Sequence, residues 1–335
     1  MRSSKILLLL GFCLLLLCQS AFAGWARQRV NSFAWFQGVY FLNEKKGWIV
    51  GSRGSILATQ DGGESWQKVS SGTDDTIRDV HFFDEQNGLV LCERNRYQLG
   101  DSAPSYLLKT TDGGAHWDPM EIGGAGSPML VNFFFGKDQR GWAVGEGGAV
   151  FSMQNGQNGQ NGQSGQESAG AWRKHTSPTV FAMMDGTFSD ELNGCLVGGG
   201  GTILFTEDGG QLWNVSTVFG KSETKLNSVF FTDRRNGWTV GSQGKIYATT
   251  NGGKSWRLQP TSVTADLFDV NFSSANEGWA VGANGTLLRT QSGGRVWTSV
   301  GSGVLHKLER VFFVSPDKGW VVGFGGTVLK YNGGN

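Results

Sequence analysis

The chain has 335 residues, and its 29 Lys and Arg against 28 Asp and Glu leave a formal charge of +1. That near balance excludes the basic footprint of a nucleic-acid binder. The 53 glycines, 13 tryptophans and 22 phenylalanines beside only six prolines point instead to many short strands joined by tight turns.

Residues 1–23 carry Arg2 and Lys5, an apolar run over 6–17, and then Ala21-Phe22-Ala23. This is the pattern of a cleaved secretory signal, too short in its apolar part to span a bilayer, so the mature chain is expected to begin at Gly24. Cys13 follows Phe12 and Cys18 follows Leu17, which disfavours a lipid-modified cysteine. The expected product is periplasmic or secreted, soluble and unfolded during export. Residues 24–335 read as one domain.

One unit recurs through that domain. Its clearest copy is residues 237–256, GWTVGSQGKIYATTNGGKSW, with close versions beginning at Gly47, Gly278 and Gly319 and weaker ones at Gly88, Gly141 and Gly194. Seven copies, most of them roughly 41 residues apart, predict an all-β, seven-bladed propeller with four strands per blade. A V-x-F phrase such as Val229-Phe230-Phe231 supplies the innermost strand, the Gly-Trp phrase the second and the Thr-ending phrase the third. A Trp-led phrase supplies the outermost strand. The last copy stops before its outer strand, whereas Trp25-Ala26-Arg27 resembles one, so the N-terminal segment is expected to close the ring in the final blade. Trp48, Trp142, Trp238, Trp279 and Trp320 recur at blade spacing and read as core. Cys92 and Cys195 fall on non-neighbouring blades and read as buried small hydrophobes rather than a disulfide.

The turn between third and fourth strands reads Asp-Gly-Gly at Asp61, Asp112 and Asp208, becomes Asn251 in the fifth copy, and is followed by Trp66, Trp117, Trp213 and Trp256. A short acceptor side chain there bonds the turn backbone, and the glycines supply positive φ. Two copies carry insertions: 93–105, with Arg94, Arg96 and Tyr97, and a Gln/Asn/Gly tract at 154–170 expected to be a flexible surface excursion.

The phrase T-x-D-G-G-x-x-W is the Asp-box or BNR repeat. Combined with G-W-x-V-G-x-x-G in this phase, it resembles the photosystem II stability and assembly factor family over nearly all of the mature chain. That resemblance implies a non-enzymatic factor of the thylakoid lumen or bacterial periplasm that binds a newly inserted reaction-centre subunit.

Counting nine residues back from each repeat glycine gives Gly38, Asp79, Asn132, Asp185, Ser228, Asp269 and Arg310 as a ring at the channel mouth. Three acids and an arginine there raise the alternative of a carbohydrate-active or carbohydrate-binding, sialidase-like propeller, since glycosidases need two positioned carboxyls. Too few arginines accompany them for that chemistry. The Asp-box acids sit one per blade, too far apart to converge on calcium. The four histidines lack metal-ligand spacing, and no nucleophile motif occurs. The expectation is therefore a monomeric binding protein without catalytic residues, metal or cofactor, acting on a membrane protein subunit or assembly intermediate. The candidate contact residues are Arg78, Asp79, His81, Arg94, Arg96, Asp185, Asp269, Glu309 and Arg310, with Trp35, Phe36, Tyr97 and Phe219 as irregular aromatics that break the repeat.

Overall fold

The structure, a computed structural model, describes residues 24–333 apart from 96, 98, 99, 101, 125, 154–171, 221 and 222. The expected signal segment, Arg96 and the Gln/Asn/Gly tract lie outside the described residues. Seven antiparallel sheets succeed one another around an axis. The first blade pairs Phe36–Phe41, Gly47–Gly51, Ser55–Thr59 and Gln67–Val69 in sequence order, and the later blades repeat that order. Gly24–Arg27 pairs antiparallel with Thr327–Asn332, Trp25 opposite Tyr331, so the N-terminal strand completes the seventh blade as its repeat pattern predicts.

The second strand of each blade is buried over five successive residues, as in Gly47–Gly51 and Gly237–Gly241, because neighbouring blades cover both of its faces. The Gly-Trp phrase has a packing reason. A Cβ on Gly47 would strike the Phe41 ring, and one on Gly51 the carbonyl of Trp35, so only glycine lets the inner strand lie this close. The Trp beside it stacks on the inner-strand Phe of the next blade. Trp48 lies 3.5 Å from Phe82 at 5°, and Trp320 lies 3.4 Å from Phe41 at 8°. The outer-strand Trp then meets that Phe edge-on, Trp117 on Phe82 and Trp66 on Phe41, the geometry that aromatic quadrupoles favour. Two seams lack the Trp: Leu89 and Cys195 occupy its position there, and both are buried. Cys92 and Cys195 are free thiols inside the core.

The Asp-box turn is closed by its own side chains. Thr59 Oγ1 donates to Asp61 and accepts from Gly63 N, while Asp61 accepts from Ser65 N at 2.9 Å and from the Ser65 hydroxyl at 2.6 Å. The Ser65 bonds hold the Asp61 carboxyl down at about 2. Asp112, Asp208 and Asn251 accept from the backbone in the same way.

The fifth blade departs from four strands. Thr217–Phe219, in the connector after the fourth blade, adds a parallel strand outside Ser255–Gln259. A β-branched and aromatic run, Val215 to Phe219, meets an otherwise unpaired outer edge, and Tyr247 and Arg257 hold it. In the third blade Met153 pairs with Trp172, so its third and fourth strands meet across the interrupting tract.

Candidate functional site

Every inner strand carries a bulge at the same place. The pairing register shifts between Phe36 and Gly38, Ile77 and Asp79, Leu130 and Asn132, Met183 and Asp185, Leu226 and Ser228, Leu267 and Asp269, and Leu308 and Arg310. A bulge sets two residues opposite one and frees backbone groups from the ladder. The seven residues just past it form one ring around the axis.

That ring corrects the expectation of a channel mouth. It lies inside the channel as a partition, below one opening and above the other, with Arg310 lining the cavities on both sides. The freed backbone amides explain its acids. Val80 N donates to Asp79 Oδ1 at 2.8 Å, Gly186 N to Asp185 Oδ1 at 2.8 Å, and Val311 N to Asp269 Oδ2 at 2.8 Å. Val229 N donates to the second oxygen of Asp185 at 3.0 Å, which ties the fourth blade to the fifth. Asn132 Nδ2 donates to Asp185 at 2.6 Å and the Ser228 hydroxyl to Asp269 at 2.6 Å.

Arg310 is the cation of this ring, 3.4 Å from Asp79, 3.7 Å from Asp269 and 3.0 Å from Asn132 Oδ1. Burial works against its charge, but Asp79, Asp269 and Asp185 outweigh it and hold the guanidinium protonated. Burial pushes the Asp79 and Asp269 carboxyls up to about 6 despite the opposing pull of Arg310, and raises Asp185 in the same way. Arg310 and Asp79 still keep 22% and 18% of their side chains exposed to the channel.

The upper opening lies where the inner strands begin, and its cavity measures about 180 Å³. Arg78, Lys225 and Lys307 line it, with Trp35 and Phe268 between them. Glu309 accepts from Trp35 Nε1 at 2.7 Å and pairs with Lys307 at 2.7 Å, whose ammonium lies 4.0 Å from the Phe268 ring centre. Arg78 is held by Glu93 and Gln37. Lys225 is exposed at the rim, with no side-chain partner among the described residues. Loops of the same face present Phe33, Val180 and Leu305 with 94%, 82% and 86% of their surface exposed.

The lower opening has other chemistry. Its cavity of about 250 Å³ is walled by Tyr40, His81, Phe135, Phe230 and Phe312, two or three residues past the ring. Phe312, Tyr40, His81 and Phe135 form an arc with successive centres 5.4, 4.7 and 4.3 Å apart. Burial drives the His81 imidazole down to about 4, so it is neutral.

The candidates of the sequence thus separate. Arg78 and Glu309 line the upper vestibule, Asp79, Asp185, Asp269 and Arg310 form the partition, and His81 lies beyond it on the lower side. Arg94 lies outside both cavities: it pairs with Glu121, donates to Ala103 O and sits 4.1 Å over the Tyr106 ring, work internal to the second blade. Phe36 is wholly buried, a core residue rather than a contact, because the bulge begins there and turns it from the channel. Tyr97 is exposed, and Phe219 belongs to the added strand. Lys225, Lys307 and Phe268 were missed, although they lie one and three residues ahead of the ring in the same repeat count.

The family described as "Photosynthesis system II assembly factor YCF48" matches residues 18–159, 163–262 and 257–332. The photosystem II assembly protein Ycf48 of Synechococcus sp. (strain JA-3-3Ab) is 22% identical over 186 residues, which are 55% of this chain and 49% of that protein, so the match spans about half of the relative. A solved structure of YCF48 bound to D1 peptide superposes with a TM-score of 0.71 at 22% identity, covering 92% of this chain and 96% of the other. YCF48 from Cyanidioschyzon merolae gives 0.71 at 19% identity, covering 92% and 99%. An inactive virginiamycin B lyase from Staphylococcus aureus gives 0.72 at 10% identity, covering 92% and 99%. At such identities the superpositions establish the seven-bladed fold and nothing further.

Proposed function

The chain belongs to the photosystem II assembly factor family of the Ycf48 type, and from that premise we propose that it is an exported, monomeric, non-enzymatic factor that binds a segment of a membrane protein subunit during assembly. The upper vestibule is its client site. The observation that carries this reading is the convergence of Arg78, Lys225 and Lys307 on an opening walled by Trp35 and Phe268, with Lys225 unpaired among the described residues. Cations at a half-apolar mouth suit an extended peptide that bears carboxylates among apolar side chains. The exposed Phe33, Val180 and Leu305 widen the contact surface on the same face. A solved structure of YCF48 bound to D1 peptide supports a photosystem II membrane subunit as the class of client, and the expected export signal puts that contact on the lumenal or periplasmic side.

The partition supports binding over catalysis. Two carboxylates working on a glycoside need a substrate between them, and here Arg310 reaches Asp79 and Asp269 from one guanidinium while backbone amides occupy an oxygen of each acid. The axial acids stabilise bulged strands, and the sialidase-like alternative gains no support from the site.

Titration of a fluorescent D1 peptide against the mature chain tests the reading. Saturable binding, weakened about tenfold by Lys225→Glu, is expected for loss and reversal of one charge contact at the mouth. Equal affinity in the variant and its parent would overturn the assignment of the client to the upper vestibule.

A further inference from the structure

Charge does not balance at the partition, and the imbalance faces the lower cavity. Asp79, Asp185 and Asp269 share one guanidinium, that of Arg310. Asp185 has both oxygens engaged, by Asn132 and Gly186 N on one and Val229 N on the other. Asp79 receives Val80 N on one oxygen and only the 3.4 Å contact from Arg310 on the other. Asp269 receives the Ser228 hydroxyl and Val311 N, one on each oxygen. An ionised carboxylate has about four acceptor positions, so Asp79 and Asp269 keep lone pairs free, and both line the lower cavity.

The wall of the lower cavity is unfinished in the same sense. The Tyr40 hydroxyl, the His81 ring nitrogens, the Thr187 hydroxyl and the Asn271 amide face this cavity without a hydrogen-bond partner among the described residues. His81 is deeply buried and neutral, so it contributes an acceptor nitrogen and no competing charge. Among the described residues, Arg310 in the partition is the one Lys or Arg side chain lining the cavity, whereas the upper vestibule adds three more.

We infer that the lower cavity binds an unbranched primary alkylammonium. Its head donates to the free positions of Asp79 and Asp269 and to the side-chain oxygen of Asn271, three donors for an ammonium. Its methylene stem lies against the rings of Tyr40 and Phe312, as lysine stems lie along apolar surface. The bound charge offsets the carboxylate excess that Arg310 alone leaves, which a neutral alcohol would not do. The ammonium comes from a lysine side chain of a partner or from a free diamine.

Isothermal titration of the mature chain with Nα-acetyl-lysine amide, with cadaverine and with the neutral norleucine analogue separates these cases. Saturable binding of an ammonium probe and none of the norleucine analogue is expected. Asp79→Asn lowers the affinity at least about tenfold, the effect of one charge-assisted hydrogen bond. Asn271→Leu leaves the acids and their partners in place and lowers it several-fold, and decides the matter if Asp79→Asn does not fold. Binding of the lysine derivative alone assigns a protein partner, and binding of cadaverine alone assigns a free amine. No saturable binding of either ammonium, equal binding of the norleucine analogue, or unchanged affinity in Asn271→Leu would overturn the inference.

Discussion

The two openings of the channel are built by the same seven inner strands and carry opposite chemistry. The upper one gathers Arg78, Lys225 and Lys307 around aromatic side chains, and the lower one gathers Tyr40, His81, Phe135 and Phe312 over an excess of carboxylates. Between them stands the bulge. By setting two residues against one, it turns a single position of each strand into a partition, and residues on either side of it then face different rooms. Blade seams repeat because they must pack. Axial positions differ from copy to copy because each side chain there answers a different neighbour, as Asp185 does Val229 N and Asp269 does Val311 N.

The sharpest way to break this division is to remove the cation that both rooms share. Arg310→Met leaves three buried carboxylates without their counter-charge, and a loss of about 3–5 kcal/mol is expected at pH 7.5. The loss shrinks at pH 5, where Asp79 and Asp269 take up protons. Thermal melts at the two pH values read both effects, and equal losses would contradict the partition's electrostatics.

A smaller effect isolates one acid. Asp79 has its carboxyl pushed up to about 6 in the folded chain, against about 3.9 when unfolded. The folded state therefore holds this proton more tightly. Its contribution is fully present below about pH 4 and lost as pH rises through 6, by up to about 3 kcal/mol. Asp79→Asn cannot ionise, so the melting temperature of the variant relative to the parent is expected to climb from pH 5 to pH 7.5. His81 works in the opposite sense: its folded value of about 4 lies below the unfolded 6.5, giving stability above about 6.5 that fades as pH falls through 4. Present in both proteins, it cancels in the difference. A gap that narrows with pH would contradict the assignment.

Milder still is salt. If the upper mouth holds its client by charge, raising sodium chloride from about 50 to about 500 mM weakens D1 peptide binding several-fold. The smallest expected effect is that of His81→Leu, which lies beyond the partition and should leave peptide affinity within about twofold. A large change there would join the two rooms into one site.

Much of this architecture is legible in the chain itself. The repeat registers seven times, with Trp in five copies of its Gly-Trp phrase, and Trp25 announces the strand that completes the seventh blade. Counting also finds the ring residues, but it cannot tell a mouth from a partition, because that depends on where each strand bulges. Lys225 and Lys307 escape it since the repeat has no fixed residue three places ahead of the ring. Phe36 misleads because its neighbour Trp35 does face the channel. The added strand at 217–219 depends on a free edge that becomes visible only once the outer strand of the fifth blade is in place.

Hydrogen exchange of the mature chain with and without a D1 peptide tests the central claim most directly. Slowed exchange at the upper-face segments 33–37, 223–227 and 304–309, with the lower-face turns 43–46 and 84–87 unchanged, is the predicted result. Protection of the lower-face turns, with the upper segments unaffected, would contradict it.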